Sequence, residues 1–513
     1  MAGFTRRNLF RKGSVLAAAG LASAAPAESP AAAPSGPEVY TRIGVRPFIN
    51  CTATLTINGG SQMLDEVIAA VEQSSHYHVN LDELMEKVGD RLAELLQVPW
   101  AIVTSGAAAA LVHATSGCIA GADPEKMQRL PNLVGLKDEV IMPRESRVAY
   151  DHAIRTLGVR IIEVNSPDEL RAAISPHTAM IEVLGNYFGS ARLDLKDVAP
   201  IARQAGVPIL VDAAADYLIV PNPYLEQGAD LVAYSGGKII RGPQNAGLLL
   251  GRRDLVRAAW ANSAPHHAFG RGLKVGKEQV VGMLRAVEVW RSGRDLQADF
   301  RLWNLWYAEI SEELTRAPGV RTSVRPPARG GPFPTLNVSW DPERIGLTAG
   351  EVGRLLLEGE PRIMSHAEGE GHEFLIRPVA MHPGEHKLVA RRLYEIFSSA
   401  PRGPHPKPQP AQPARDISGI WDVEVVYEVG ESHHRLFLNA SGNRVTGSHE
   451  GWAYRGDLTG LIDGVHIELH SNLPAEGTHL SYMFRGLLQG QEIAGDVDLG
   501  EYGRAKWRAR RHA

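Results

Sequence analysis

Between residues 139 and 251 short, continuously apolar runs alternate with polar helix-forming stretches, and few folds accept that pattern. The runs are EVIM (139–142), VRIIEV (159–164), AMIEVL (179–184), VPILVD (207–212) and ADLVAY (229–234), and LLLG closes the series at 248–251. Helix-like segments near 150–157, 168–174 and 195–205 separate the earlier runs. Strands that are apolar on both faces, joined by helical crossovers, predict a parallel or mostly parallel sheet covered on both sides. Ligands of such sheets collect at the carboxyl ends of the strands, which draws attention to Asp212 and to Ser235–Lys238. Upstream, Asn80 and Glu83 read as a capping box for a helix over 81–97, with Leu81, Leu84, Met85, Val88, Leu92, Leu95 and Leu96 on one face.

The 513 residues are too many for one core. The start, TRRNLFRKGSVLAAAGLASAAPA, carries adjacent Arg6 and Arg7, a short Ala-rich apolar stretch and small residues at Ala22 and Ala24. This resembles a twin-arginine export signal over 1–25, and it predicts a periplasmic or secreted protein. Its removal takes away four basic residues, moving the net charge from −4 to −8. Residues 26–42 read as a linker, 43–290 as a large α/β domain and 291–399 as a small α+β domain with a turn at 326–334. Residues 400–415 carry six prolines and form a second, semi-rigid linker. Over 416–513 some eight short strands separated by Gly, Asn or Asp turns predict a small antiparallel barrel or sandwich, with Trp421 and Trp507 in its core. This tail resembles the lipocalin-like modules of some secreted enzymes. No apolar run is long enough to span a bilayer, and an acidic chain has no general attraction for nucleic acid.

The chemistry concentrates at 104–278. In YSGGKIIRGPQNAGLLLG (234–251) a lysine follows two glycines and precedes a buried strand. A lysine held in such a loop is desolvated and becomes a competent amine nucleophile. Asp212 ends a buried strand, where an acid is costly unless it meets a cation such as a protonated pyridine nitrogen. In VTSGAAAALVHA (103–114) a Ser-Gly turn opens an Ala-rich helix, and the N–H groups there suit a phosphate. Lysine, acid and helix terminus are the three grips that pyridoxal 5'-phosphate needs.

The strings DAAA at 212, SGGK at 235, GPQ at 242 and GLLLG at 247 resemble the selenocysteine synthase-like branch of the fold type I pyridoxal-phosphate enzymes. So do RGLKVGKE (271–278) and INCTATLTINGGSQM (49–63). The resemblance covers about residues 40–400 and is nearer to small-substrate members of the glucosaminate-6-phosphate ammonia-lyase type than to the tRNA-dependent enzyme. It implies that Lys238 holds the cofactor aldehyde and Asp212 the pyridinium, with Ser105, Gly106, Ala107 and Ser235 near the phosphate. It also implies positive charge from Arg271, Lys274 and Lys277 for substrate or phosphate, at their own or a neighbouring subunit's site in a homodimer or larger homo-oligomer. His152 either stacks on the ring or is a structural histidine, and Arg377 either clamps a substrate carboxylate or makes a surface ion pair.

Removal of a substrate Cα proton by Lys238 leads to β-elimination or replacement, to racemisation or to transamination. The resemblance favours a β-eliminating lyase acting on a small amino acid or amino sugar acid. A racemase or epimerase is the alternative, followed by a selenium transferase, an aminotransferase or a non-catalytic binding protein. No metal site is expected. His76 and His78 would share one face of a strand but lack a third ligand, so a histidine-rich loop is expected, and adjacent His266 and His267 point to different faces. Cys51 and Cys118 read as buried free thiols that could pair in an oxidising compartment.

Overall fold

A computed structural model describes residues 36–185, 191–328, 331–403 and 409–512. The twin-arginine segment expected at 1–25 lies outside the described residues. The chain divides into two units at Phe48/Ile49. In the first, Glu38–Thr41 form one helical turn within the stretch read as a linker.

The second unit contains a seven-stranded sheet: β1 (Trp100–Thr104), β2 (Glu139–Pro143), β3 (Arg160–Val164), β4 (Thr178–Leu184), β5 (Ile209–Asp212), β6 (Leu231–Ser235) and β7 (Gly247–Gly251). Its order is β1-β7-β6-β5-β4-β2-β3. β3, β2, β4, β5 and β6 run parallel, and β7 is antiparallel to both neighbours. The reversal has a local cause. β6 returns to β7 through the glycine-rich turn at 236–246 rather than through a helical crossover, and a link without a crossover gives an antiparallel pair. Strands β1, β5, β6 and β7 are buried along nearly their whole length, so the sheet is covered on both faces. The helix Leu81–Leu96 starts where expected: the Asn80 side chain accepts from the Asp82 and Glu83 N–H groups, and Met85, Val88, Leu92 and Leu96 are buried.

A three-stranded antiparallel sheet follows, with β8 (Val320–Arg325), β9 (Thr335–Trp340) and β10 (Glu373–Ile376) in the order β10-β9-β8. Helices Leu296–Leu314 and Glu385–Ser399 pack together beside it. Ile49–Asn50 pair in parallel with Ile363–Met364, so the segment at 49–63 is anchored to this smaller part of the fold.

The C-terminal strands β11 (Gly419–Val426), β12 (Glu431–Ser441), β13 (Arg444–Glu450), β14 (Arg455–Asp463), β15 (His466–Ala475), β16 (Thr478–Gln489), β17 (Glu492–Asp498) and β18 (Arg504–Arg511) close into an antiparallel barrel in sequence order. Of the two expected forms it is therefore the barrel. Alternate residues face in: Trp421, Val423 and Val425 on β11, and Trp507 and Ala509 on β18. The interior also holds a polar chain. The Tyr427 hydroxyl meets Ser432 Oγ, Ser432 Oγ meets His434 Nε2, His434 Nδ1 meets His449 Nε2, and His449 Nδ1 meets Ser471 Oγ, each at 2.7 Å. The end of the proline-rich linker is tied to the barrel by Ala411 N–H donating to Asp463 (2.7 Å) and Ala414 N–H to Gly464 O (2.9 Å).

No helix among the described residues is long and apolar enough to cross a membrane. His76 and His78 sit at a helix C-cap and in the loop that follows, both exposed, as expected of a histidine-rich loop. No cluster of three metal-ligating side chains occurs among the described residues. Cys51 is buried and Cys118 partly buried, both as free thiols.

Candidate active site

Three loops meet at the carboxyl ends of the central strands. Asp212 is the last residue of β5 and is buried; its Oδ1 accepts the Ala214 N–H at 3.0 Å. Burial raises its pKa, while that N–H and the charge of Lys238 pull it back down. Lys238 lies in the turn after β6. Burial lowers its pKa, and Asp212 and Asp216 oppose that shift. The lysine and the acid thus share one desolvated neighbourhood.

The glycines before Lys238 are required by packing. A Cβ on Gly236 would lie 2.6 Å from Met283 Sδ, and one on Gly237 would lie 2.6 Å from the Gln244 Cα. The helix Gly106–Ala120 begins directly after β1 with Gly106 at φ +80°, and its N-cap Ser105 makes no side-chain capping bond. A Cβ on Gly247 would sit 2.5 Å from the Gly106 carbonyl carbon, so only glycine lets β7 pass under this turn. Ser105, Gly106 and Ala107 are half-buried there, as is Ser235 at the end of β6.

The segment 56–64 wraps over the lysine loop. Ser61 N–H donates to Gly237 O (3.0 Å), Leu64 N–H to Arg241 O (3.2 Å), Gln244 Nε2 to Thr56 O (3.1 Å) and Arg241 Nε to Gln62 O (2.9 Å). Its other end reaches Arg377, whose N–H donates to Cys51 O at 3.0 Å. Arg377 is half-buried, and desolvation lowers its pKa against the pull of Tyr307. His366 Nε2 lies 3.2 Å from Thr52 O, and the Asn50 side chain braces Thr52 and Ala53. Ala53 has φ +67°, a conformation that strains any residue with a Cβ. Ala53→Gly is expected to raise stability by about 0.5–1 kcal/mol, read from the urea unfolding midpoint.

His152 is exposed and starts a short helix. It lines a cavity of about 560 Å³ together with Ser105, Ala109, Val112, Tyr150 and Phe269; Lys238 and Asp212 are not among its lining residues. Arg271 and Lys274 are exposed. Lys277 opens the helix Lys277–Arg291 and pairs with Glu278.

Two buried acids join the site without having been singled out in the sequence. Asp216 accepts from the Tyr224 hydroxyl, and a Cβ on Gly185 would lie 2.5 Å from its Oδ2. The signal for it was the second acid in VDAAAD. Glu182 is buried on β4 with no hydrogen-bond partner for Oε2 among the described residues. Burial, then the charges of Asp212 and Asp151, raise its pKa well above the usual carboxylate range. A lone acid inside the apolar run AMIEVL was its signal.

Residues 56–264 match the model of the aminotransferase class-V family. This part of the chain is similar to that family. D-glucosaminate-6-phosphate ammonia lyase of Salmonella typhimurium is 28% identical over 377 residues, spanning 71% of this chain and 99% of that one. 5'-C-glycyluridine monooxygenase-decarboxylase from a Streptomyces species is 29% identical (71% and 94%), and L-seryl-tRNA(Sec) selenium transferase of Moorella thermoacetica is 27% identical (71% and 84%). A solved D-glucosaminate-6-phosphate ammonia-lyase superposes with a TM-score of 0.63 at 27% identity, covering 71% of this chain and all of its own. The fold is the fold type I α/β arrangement, and the chain is a pyridoxal phosphate-dependent enzyme. The donor set fits that cofactor: a desolvated amine, a buried acid and an uncapped helix terminus that a glycine strand approaches.

Proposed function

We propose that the chain is an exported β-eliminating lyase that releases ammonia from a small amino acid or amino sugar acid. The observation that carries this is the partly buried, desolvated Lys238 amine, which feels the charges of Asp212 and Asp216, in a chain similar over almost the full length of an ammonia lyase. When bound, pyridoxal phosphate supplies an aldehyde for the substrate nitrogen and a sink for the electron pair left at Cα.

The residues do the rest. Lys238, whose charged form desolvation disfavours, takes the Cα proton. The Cβ leaving group departs with its bonding electrons, and water later replaces the nitrogen, so a 2-keto acid and ammonium are the products. Asp212 would hold the protonated pyridine nitrogen, which would give its buried charge a partner. Ser105, Gly106, Ala107 and Ser235 would hold the phosphate through N–H and hydroxyl groups. His152 would cover the ring, and Arg377 would offer a planar fork to the substrate carboxylate. Arg271, Lys274 and Lys277 add positive charge for an acidic substrate, within a homo-oligomer.

A panel of L- and D-amino acids and amino sugar acids tests the reaction, with ammonium and keto acid measured together. Solvent deuterium entering Cα with neither product would replace elimination by racemisation. Export rests on Arg6 and Arg7. Replacing both by lysine is expected to move the protein from the periplasmic to the cytoplasmic fraction, and unchanged fractionation would remove the export claim.

A further inference from the structure

The barrel meets the α/β part of the enzyme at the tip between β15 and β16. Strands β15 and β16 pair from Ala475 to Thr478, leaving a two-residue tip, Glu476–Gly477. Its turn chemistry is inverted. Glu476 holds the left-handed conformation (φ +53°), whereas Gly477 does not. A two-residue hairpin with one left-handed residue at its first position prefers glycine there. The barrel alone therefore asks for glycine at 476 and has no need of one at 477.

The contact explains both departures. Glu476 Oε2 accepts from Arg147 Nη2 at 2.6 Å. The Arg147 side chain is 8% exposed and also holds Asp151 (2.6 Å) and Glu163 (2.5 Å). Asp151, whose side chain is 2% exposed, is held from its other side by Arg155 at 2.8 Å. A Cβ on Gly477 would meet the Val148 backbone, 2.6 Å from its carbonyl carbon, and would lie 2.7 Å from Asp151 Oδ2. Gly477 is the only residue type that lets the tip lie flat against Val148–Asp151. The next residues of that segment, with Ala149 and Tyr150, form the wall of the cavity that His152 and Ser105 share.

We propose that the barrel tip Glu476–Gly477 is a positioning element for the active-site wall Val148–His152, acting through the buried Arg147–Asp151 pair. Glu476 and Gly477 touch neither substrate nor cofactor; they fix the backbone that carries His152. This rests on the reading of the Ser105–His152 side of the cavity as part of the cofactor site. The barrel's place in the enzyme is then a brace, and the strain at Glu476 is kept for the sake of the ion pair.

The test uses the full-length holoenzyme with Glu476→Gly, Glu476→Gln and Gly477→Ala. Glu476→Gly relieves the turn, so the barrel's own unfolding midpoint stays level or rises. Amide exchange over 147–156 nonetheless speeds up, and the dissociation constant for pyridoxal phosphate rises about fivefold or more, with a changed visible circular dichroism of the bound cofactor. Gly477→Ala gives the same exchange and cofactor changes through its clash with Val148. Glu476→Gln, which keeps a hydrogen bond to Arg147, restores part of the cofactor affinity. Unchanged exchange at 147–156 in both Glu476→Gly and Gly477→Ala overturns the docking. Faster exchange with unaltered cofactor affinity and dichroism overturns the positioning role. The exchange measurement is repeated on cofactor-free protein, so it reports the docking even if the assignment of the cofactor site itself fails.

Discussion

Lys238→Ala is expected to lower turnover by about 10³-fold or more and to abolish the visible absorbance of the bound cofactor. An aldehyde is attacked by a neutral amine, and an exposed lysine is almost wholly charged at neutral pH. Here burial in the turn after β6 favours the neutral form, while Asp212 and Asp216 keep the amine near its work. Alanine removes both the covalent anchor and the base for the Cα proton. The neighbouring fold should survive, because the turn is held by other contacts: Ser61 N–H on Gly237 O, Gly242 N–H on Gly236 O, and Arg241 N–H on Lys238 O, a backbone bond that alanine keeps. Lys126→Ala, on an exposed helix far along the chain, serves as the control and should change neither readout. A Lys238→Ala enzyme with its absorbance band and rate intact would falsify the assignment of the amine.

Acidification from pH 7 to pH 5 should destabilise the barrel by roughly 3–4 kcal/mol. His434 and His449 are buried in its interior and hydrogen-bonded to each other. Desolvation lowers His434 from 6.5 to about 4, with the charge of His433 adding to the effect. Desolvation and the neighbouring His434 lower His449 from 6.5 to about 3. Between those values the unfolded chain binds protons that the folded barrel refuses. Stability is therefore full above about 6.5 and falls as the pH drops towards the folded values. The geometry agrees: with one ring donating to the other, a second proton would set two N–H groups head to head. Urea titrations followed by the fluorescence of buried Trp421 and Trp507 measure the effect. The variant His434→Gln/His449→Gln should flatten the pH dependence. A wild-type midpoint that does not move between pH 7 and 5 contradicts it.

Pattern made the strands legible. β2, β4 and β5 fall on the apolar runs read at 139, 179 and 207, and the helix Leu195–Ala205 lies where 195–205 was read, because burial on both faces leaves few alternatives to hydrophobic sequence. The barrel strands were equally plain, since inside and outside alternate residue by residue. The site was legible where chemistry and glycine coincide: SGGK needs its glycines for contacts with Met283 and Gln244 that a sequence cannot display, yet the glycines themselves are visible. Asp216 and Glu182 were harder. Each is an acid whose meaning depends on which strand lies beside it, and β4 meets β5 only in the folded sheet. The exposure of Arg271 and Lys274 was not legible either, because a basic residue on a loop carries no record of what faces it.

The sequence by itself determined the succession of α/β, α+β and barrel elements and the lysine and acid on which the chemistry turns, since hydrophobic period and residue type are local properties. The tertiary structure alone decided that 56–64 lies over the lysine loop and that the Glu476–Gly477 tip rests on Val148 and Asp151. These depend on distances between residues remote in the chain, and such distances are set by packing rather than by any one segment.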